Sequence, residues 1–180
     1  HLPASLPNRP LSATIILRMV FLVNGFKITP QQIARIGFIA GLYVTFTFLL
    51  SAISFGPIQV RIAEALTLLP ILYPEAIPAL FLGCLLANLL GPFGVVDIIF
   101  GSLTTLIAAF LTYYFRRSIL AYLSPIICNA FIVSLYLYIF FRIPYWPTVL
   151  TIGLGESVAV LALGLPLLHL LKARERERWQ

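Results

Sequence analysis

Three stretches of this chain are apolar and carry no charge: Ile36 to Phe55, Ile98 to Phe115 and Ser118 to Phe141. Runs of about 18 or more such residues are long enough to cross a hydrocarbon core as helices. Strands of a lipid-facing barrel alternate apolar and polar residues, and these runs do not. A soluble domain is excluded on similar grounds. Average soluble chains are about a quarter charged, whereas this one is 10% charged and 61% hydrophobic, with a mean hydropathy of +1.01. The expected fold class is all-α, a polytopic membrane protein in one helical bundle.

Full spans are expected over about 34–55, 76–91, 95–115 and 118–141, and a further one over about 147–171 that Glu156 interrupts. Between the first two lies Arg61 to Leu72. As a helix this stretch of about 12 residues is roughly 18 Å long, too short to cross a core of about 30 Å. Gly56-Pro57 and Pro74 bound it and Pro70 weakens its last turn. It counts as a short second helix, giving six. With a cytoplasmic N-terminus, Lys27, Arg35, Arg116, Arg117, Lys172, Arg174, Arg176 and Arg178 all lie inside, and only Arg61 and Arg142 face out. The reverse orientation would violate the positive-inside rule, so both termini are expected in the cytoplasm.

The domain reading is an N-terminal extension over 1–30, a six-helix membrane domain over 31–172 and a basic cytoplasmic tail over 173–180. Leu11 to Phe26 is apolar but is interrupted by Arg18 and Asn24, and no small-residue cleavage site follows. Two readings of this segment are open: a native start at Met19, the one methionine, or an interfacial helix. Cys84 and Cys128 read as small buried hydrophobes, and neither they nor His1 and His169 have the spacing of metal ligands. No metal, cofactor or nucleic-acid partner is expected.

Ionisable groups inside spans are costly and point to function. Here they are Arg61, Glu64, Asp97 and Glu156, joined by the amides Gln59, Asn88 and Asn129. The topology puts almost all of them in the outer half of the bundle, with Asn129 at its lower edge. Such clustering in depth fits a pocket open to the outside. Other readings stand beside it. Arg61 and Glu64, three apart, can neutralise each other. Asn88 and Asn129 can be interhelical hydrogen bonds, and Asp97, after Gly94, can cap a helix. Trp146 and Phe55 fit an interfacial aromatic belt as well as a stacking role against a planar ligand. Glu156, among Gly153, Gly155 and Ser157 with no base nearby in sequence, is the hardest to assign to structure alone. On the first span, Ala34, Gly37, Ala40 and Gly41 form a small-residue strip that lets another helix approach closely.

The segments "FGPIQVRIAEALTLLP", "FLGCLLANLLGPFGVVDIIFGSLTTLIAA", "PIICNAFIV" and "PYWPTVLTIGLGESVAV" resemble the QueT family, in order and spacing, from about Ile33 to Leu171. These are substrate-binding S components of energy-coupling-factor (ECF) transporters. The resemblance implies a six-helix fold in the bacterial plasma membrane and no ATPase chemistry in this chain. It implies partners too: a transmembrane coupling subunit and two ATP-binding-cassette ATPases, with docking through the strip Ala34, Gly37, Ala40 and Gly41. The substrate it implies is a queuosine precursor, a 7-deazaguanine base.

The polar inventory agrees with such a ligand. A guanine-type edge offers a ring N–H and an exocyclic amine to one carboxylate, and its carbonyl oxygen needs an amide or guanidinium donor. Glu64, Asp97, Glu156, Gln59, Asn88, Asn129 and Arg61 supply both, and Trp146 or Phe55 could stack on the ring. The rival solutes are another purine, a pterin or a vitamin. A proton-coupled secondary transporter using Asp97 and Glu156 is the rival class, but the two halves show no internal repeat. An intramembrane enzyme lacks any Ser–His, paired-Asp or HExxH arrangement.

Overall fold

The computed structural model describes residues 29–54 and 61–177. Among them no strand occurs, and six helices form the bundle. We number them α1 (Pro30–Leu49), α2 (Ile62–Ile71), α3 (Ala76–Leu89), α4 (Gly94–Tyr114), α5 (Leu120–Phe141) and α6 (Tyr145–Glu177). A single turn, Ser51–Ser54, follows α1. Four of the six, α1, α4, α5 and α6, are long and apolar enough to cross a membrane.

The helix ends differ from the sequence expectation for local reasons. α1 starts at Pro30 rather than near 34 because Thr29 and Gln32 form a reciprocal cap. The Thr29 main-chain N–H donates to Gln32 Oε1 at 2.9 Å, and the Gln32 N–H donates to Thr29 Oγ1 at 3.3 Å. Pro30 occupies the first helical position, where its missing N–H does no harm. α6 runs on to Glu177, past the expected 171, because its Lys, Ala, Arg and Glu residues are strong helix formers. α3 is shorter than the full span expected over 76–91. Its 14 residues reach only about 21 Å. The Gly91-Pro92 pair stops it, since a residue before proline is driven out of the α region.

α2 winds as a 3₁₀ helix of 10 residues. Long 3₁₀ runs are uncommon because their hydrogen bonds are poorer, and this one depends on its surroundings. Every residue from Ala63 to Pro70 is buried. With three residues per turn, Arg61, Glu64 and Thr67 align on one edge; in an α-helix each step of three would swing about 60° away. Thr67 Oγ1 donates to the Glu64 carbonyl at 2.5 Å along that edge.

One apolar core joins α1, α2, α3 and α4 through Ile39, Tyr43, Leu66, Leu69, Leu80 and Ala109. α3 can lie this close to α1 because it presents Gly83. A Cβ there would sit 2.8 Å from Tyr43 Cβ and 3.1 Å from the Ala40 carbonyl oxygen. A second core joins Val133, Tyr136 and Leu137 of α5 to Ile152 of α6. α2 packs on the 158–164 stretch of α6 and on α4. Phe38, Leu82, Leu86, Leu150 and Leu154 are exposed, as lipid-facing side chains must be.

α4, α5 and α6 each contain a π-helical segment: Asp97–Gly101, Asn129–Val133 and Val158–Gly164. The first opens on Asp97, the second on Asn129, and the third begins two residues after Glu156. Such widened turns often accompany functional sites.

Candidate functional site

The polar residues of α2 and of the three widened helices meet in the interior. Arg61, at the start of α2, is 9% exposed, and Glu64, Asp97, Asn129 and Glu156 are each 4% exposed or less. A small cavity is lined by Arg61, Glu64, Asn129, Val133, Ile152 and Glu156. Helical spacing explains its walls. Asn129 and Val133 are one turn apart on α5, and Ile152 and Glu156 are one turn apart on α6. Each helix therefore contributes one polar and one apolar side chain to the same face.

The carboxyl groups are held differently. Tyr43 of α1 donates its phenol hydrogen to Glu64 Oε1, leaving Glu64 Oε2 without a hydrogen-bond partner among the described residues. Glu156 Oε2 and Asn129 Nδ2 are likewise unpartnered among the described residues. The Asn129 amide lies beside both glutamates, and Glu64 and Glu156 are close enough to interact electrostatically. Buried polar atoms are almost always satisfied. Three unsatisfied atoms on residues that share a small cavity can be completed by water or by a polar ligand. The two glutamate oxygens await donors, Asn129 Nδ2 awaits an acceptor, and the guanidinium of Arg61 also donates.

Asp97 stands behind this cavity and does not line it. Its Oδ2 is 3.2 Å from Arg61 Nη2 and its Oδ1 accepts the Tyr136 phenol hydrogen. Asn88 Nδ2 donates to the Asp97 main-chain oxygen at 2.9 Å. Cys84 joins the same buried polar belt, with Asn88 Nδ2 at 3.4 Å and Thr105 Oγ1 at 3.3 Å from its sulfur.

The structure thus gathers Arg61, Glu64, Asn129 and Glu156 around one cavity and puts Asp97 and Asn88 immediately behind it. Trp146 is not among the lining residues. Its ring is 68% exposed and lies edge-on to Tyr145, with centroids 5.2 Å apart. Gln59 and Phe55 lie outside the described residues, as does the Gly56-Pro57 turn. On α1, Ala34, Gly37 and Gly41 are exposed, and a Cβ on either glycine would meet nothing within 4 Å. Ala40, grouped with them by sequence, is buried against Gly83.

Sequence reasoning missed Tyr43 and Tyr136, which clamp Glu64 and Asp97. The available signal was a tyrosine inside an apolar helix, whose hydroxyl must find a partner when buried. It also missed Glu75, 4% exposed, which accepts from Arg35 Nη1 at 2.6 Å while the Arg35 guanidinium lies 4.5 Å over the Tyr73 ring.

An all-helical multi-pass membrane protein with a buried polar pocket among its described residues is the class that this fold and site define. The family model described as "QueT transporter" matches residues 33–173, and the chain belongs to that family. A curated relative, "Queuosine precursor transporter QueT" of Lactococcus lactis subsp. cremoris (strain MG1363), is 41% identical over 83 residues. That match covers 45% of this chain and 48% of the relative, so the aligned region spans about half the relative's length. No solved structure matches.

Proposed function

We propose that this chain is the substrate-binding subunit, or S component, of an ATP-driven ECF importer in the bacterial plasma membrane. It captures a queuosine precursor, a 7-deazaguanine base, from outside. All six helices lie within the membrane, and both termini are in the cytoplasm. Its partners are a transmembrane coupling subunit, met through Ala34, Gly37 and Gly41 on α1, and two ATP-binding-cassette ATPases that supply the energy.

One observation carries the substrate reading: Glu64, Glu156 and Asn129 surround a common cavity with unsatisfied polar atoms. A deazaguanine supplies the donors that the two glutamate oxygens lack, through its ring N–H and exocyclic amine, and its carbonyl oxygen takes a hydrogen from Arg61. A 7-aminomethyl ammonium would occupy the second carboxyl group. Membership of the QueT transporter family and the name of the Lactococcus relative support the same substrate.

The test is calorimetric titration of the purified chain with 7-deazaguanine bases, with guanine and a pterin as competitors. Tight binding of the deazaguanines alone is expected. Preference for the pterin or for guanine would overturn the substrate assignment. Uptake into proteoliposomes should require the coupling module and ATP. Proton-driven uptake by this chain alone would overturn the importer reading.

A further inference from the structure

We propose that Asp97 does not touch the substrate but is the positioning residue for Arg61, within a device completed by Asn88, Tyr136 and Gly101. The inference rests on the functional reading above and divides the labour within that site.

The three acidic residues that meet here are not equivalent. Glu64 and Glu156 each keep an unpartnered oxygen and line the cavity. Asp97 is 2% exposed, lies outside that lining, and has both carboxylate oxygens engaged: Oδ1 by the Tyr136 phenol, Oδ2 by Arg61. Asn88 Nδ2 holds the Asp97 main-chain oxygen as well, which ties down the backbone from which the carboxylate projects. A carboxylate fixed at both oxygens and at its backbone is a poor ligand contact and a good anchor.

Arg61 is what it anchors. A guanidinium on a long flexible stem at the end of a short helix has many rotamers, and a buried ion pair removes them. The anchored guanidinium borders the cavity. Its chemistry there is donation to an acceptor atom, which on a deazaguanine is the ring carbonyl oxygen.

Gly101 makes the arrangement sterically possible. It closes the π-helical turn that Asp97 opens. A Cβ at Gly101 would fall 2.7 Å from Asn88 Nδ2, 2.8 Å from Asp97 Oδ1 and 3.4 Å from Tyr136 Oη. The space left by a missing side chain is the space in which Asn88, Asp97 and Tyr136 converge. Any larger residue displaces at least one of them, and with it the carboxylate that fixes Arg61.

Two probes separate this role from simple structural support. One is 7-aminomethyl-7-deazaguanine; the other is its 6-thio analogue, which keeps the ring N–H and offers sulfur, a much weaker acceptor, in place of the carbonyl oxygen. Both are titrated into the purified full chain, into Tyr136→Phe and into Gly101→Ala. Tyr136→Phe should lose about tenfold or more in affinity for the oxo base, the size of one hydrogen bond to a charged group, and less than about twofold for the other. Gly101→Ala should show the same selectivity, and the double variant should lose no more than the worse single one, because both act through Asp97. Equal losses for the two probes would make Tyr136 and Gly101 mere packing residues and overturn the inference. So would unchanged affinity for both, or additive losses. Wild-type protein that binds neither probe would instead refute the functional reading on which the inference stands. Should Gly101→Ala fail to fold, Tyr136→Phe and Asp97→Asn carry the same comparison.

Discussion

Replacing Glu156 by glutamine is the sharpest test of the cavity. Glu156 is 3% exposed, and its Oε2 has no hydrogen-bond partner among the described residues. Its neighbours across the cavity are Glu64 and Asn129, and the nearest cation, Arg61, is engaged by Asp97. The apo protein therefore gains little from the carboxyl group, while a ligand with two N–H donors gains a great deal. Glutamine keeps the volume and one carbonyl acceptor, so the fold loses no packing. It also replaces an oxygen that should accept with an amine that donates, and that amine faces the donor edge of the base. Hydrogen bonds to a charged group contribute about 1.5–3 kcal/mol each. Losing one costs roughly ten- to 150-fold in affinity, since about 1.4 kcal/mol is a factor of ten. Calorimetric titration of Glu156→Gln with 7-aminomethyl-7-deazaguanine should show that loss at unchanged expression. The thermal midpoint in detergent should stay level or rise, because a buried carboxyl oxygen without a hydrogen-bond partner has been removed. An affinity equal to wild type would refute the reasoning and leave Glu64 as the base-reading acceptor.

Other perturbations test neighbouring parts of the argument. Gly37→Leu or Gly41→Leu should abolish co-purification with the coupling subunit yet spare ligand binding, since a Cβ at either position meets nothing within 4 Å; unchanged co-purification would remove that face from the interface. Tyr43→Phe leaves Glu64 Oε1 without its donor and should destabilise the protein by about 1–3 kcal/mol; an unaltered denaturation midpoint would show the phenol to be dispensable. Gly83→Ala forces a Cβ to 2.8 Å from that of Tyr43 and should cost about 1–3 kcal/mol by overpacking, read in the same melt. Arg35→Ala should lower the midpoint more than Glu75→Gln, because the first strands a carboxylate 5% exposed and the second only an arginine 44% exposed. Equal shifts would argue against that asymmetry.

Much of this was legible in the sequence because the lipid-facing background is so uniform. Against apolar runs, Arg61, Glu64, Asp97, Asn129 and Glu156 stand out without any alignment, and the structure brings them to one interior region. Their pairing was not legible. Three positions apart, Arg61 and Glu64 can neutralise each other, and the structure adds partners from other helices: Asp97, 36 positions on, for Arg61 and Tyr43 for Glu64. The 3₁₀ winding of α2 aligns the two side chains on one edge, but what each meets is decided by the helices packed opposite. Ala40 shows the same limit. Spacing groups it with Gly37 and Gly41, whereas the close approach of α3 at Gly83 turns it into core. The length of α3 was overestimated because hydropathy runs on through Leu89 and Leu90 while the Gly91-Pro92 pair ends the helix.

The irregular backbone explains why this site sits inside helices rather than on loops. In hydrocarbon, every main-chain donor and acceptor must be satisfied within the protein, so departures from α geometry survive only where protein surrounds them or a cavity adjoins them. The 3₁₀ winding of α2 is buried from Ala63 to Pro70, and the π segments of α4 and α5 begin at Asp97 and Asn129, both buried. A widened turn changes the angular phase of the helix beyond it. Side chains before and after the turn can then face different neighbours without breaking the span. On α4 this lets Asp97 reach inward to Arg61 and Tyr136 while Ile99 and Phe100 remain exposed on the outer face. On α6 it lets Glu156 face the cavity while the 158–164 stretch packs on α2. Glycines close two of the three segments, at Gly101 and Gly164, where α2 or the Asp97 cluster comes within contact distance of the backbone. The polar site and the irregular windings are therefore one feature. Arg61, Glu64, Asp97, Asn129 and Glu156 all lie in or within two residues of an irregular turn, and each such turn packs one face against protein.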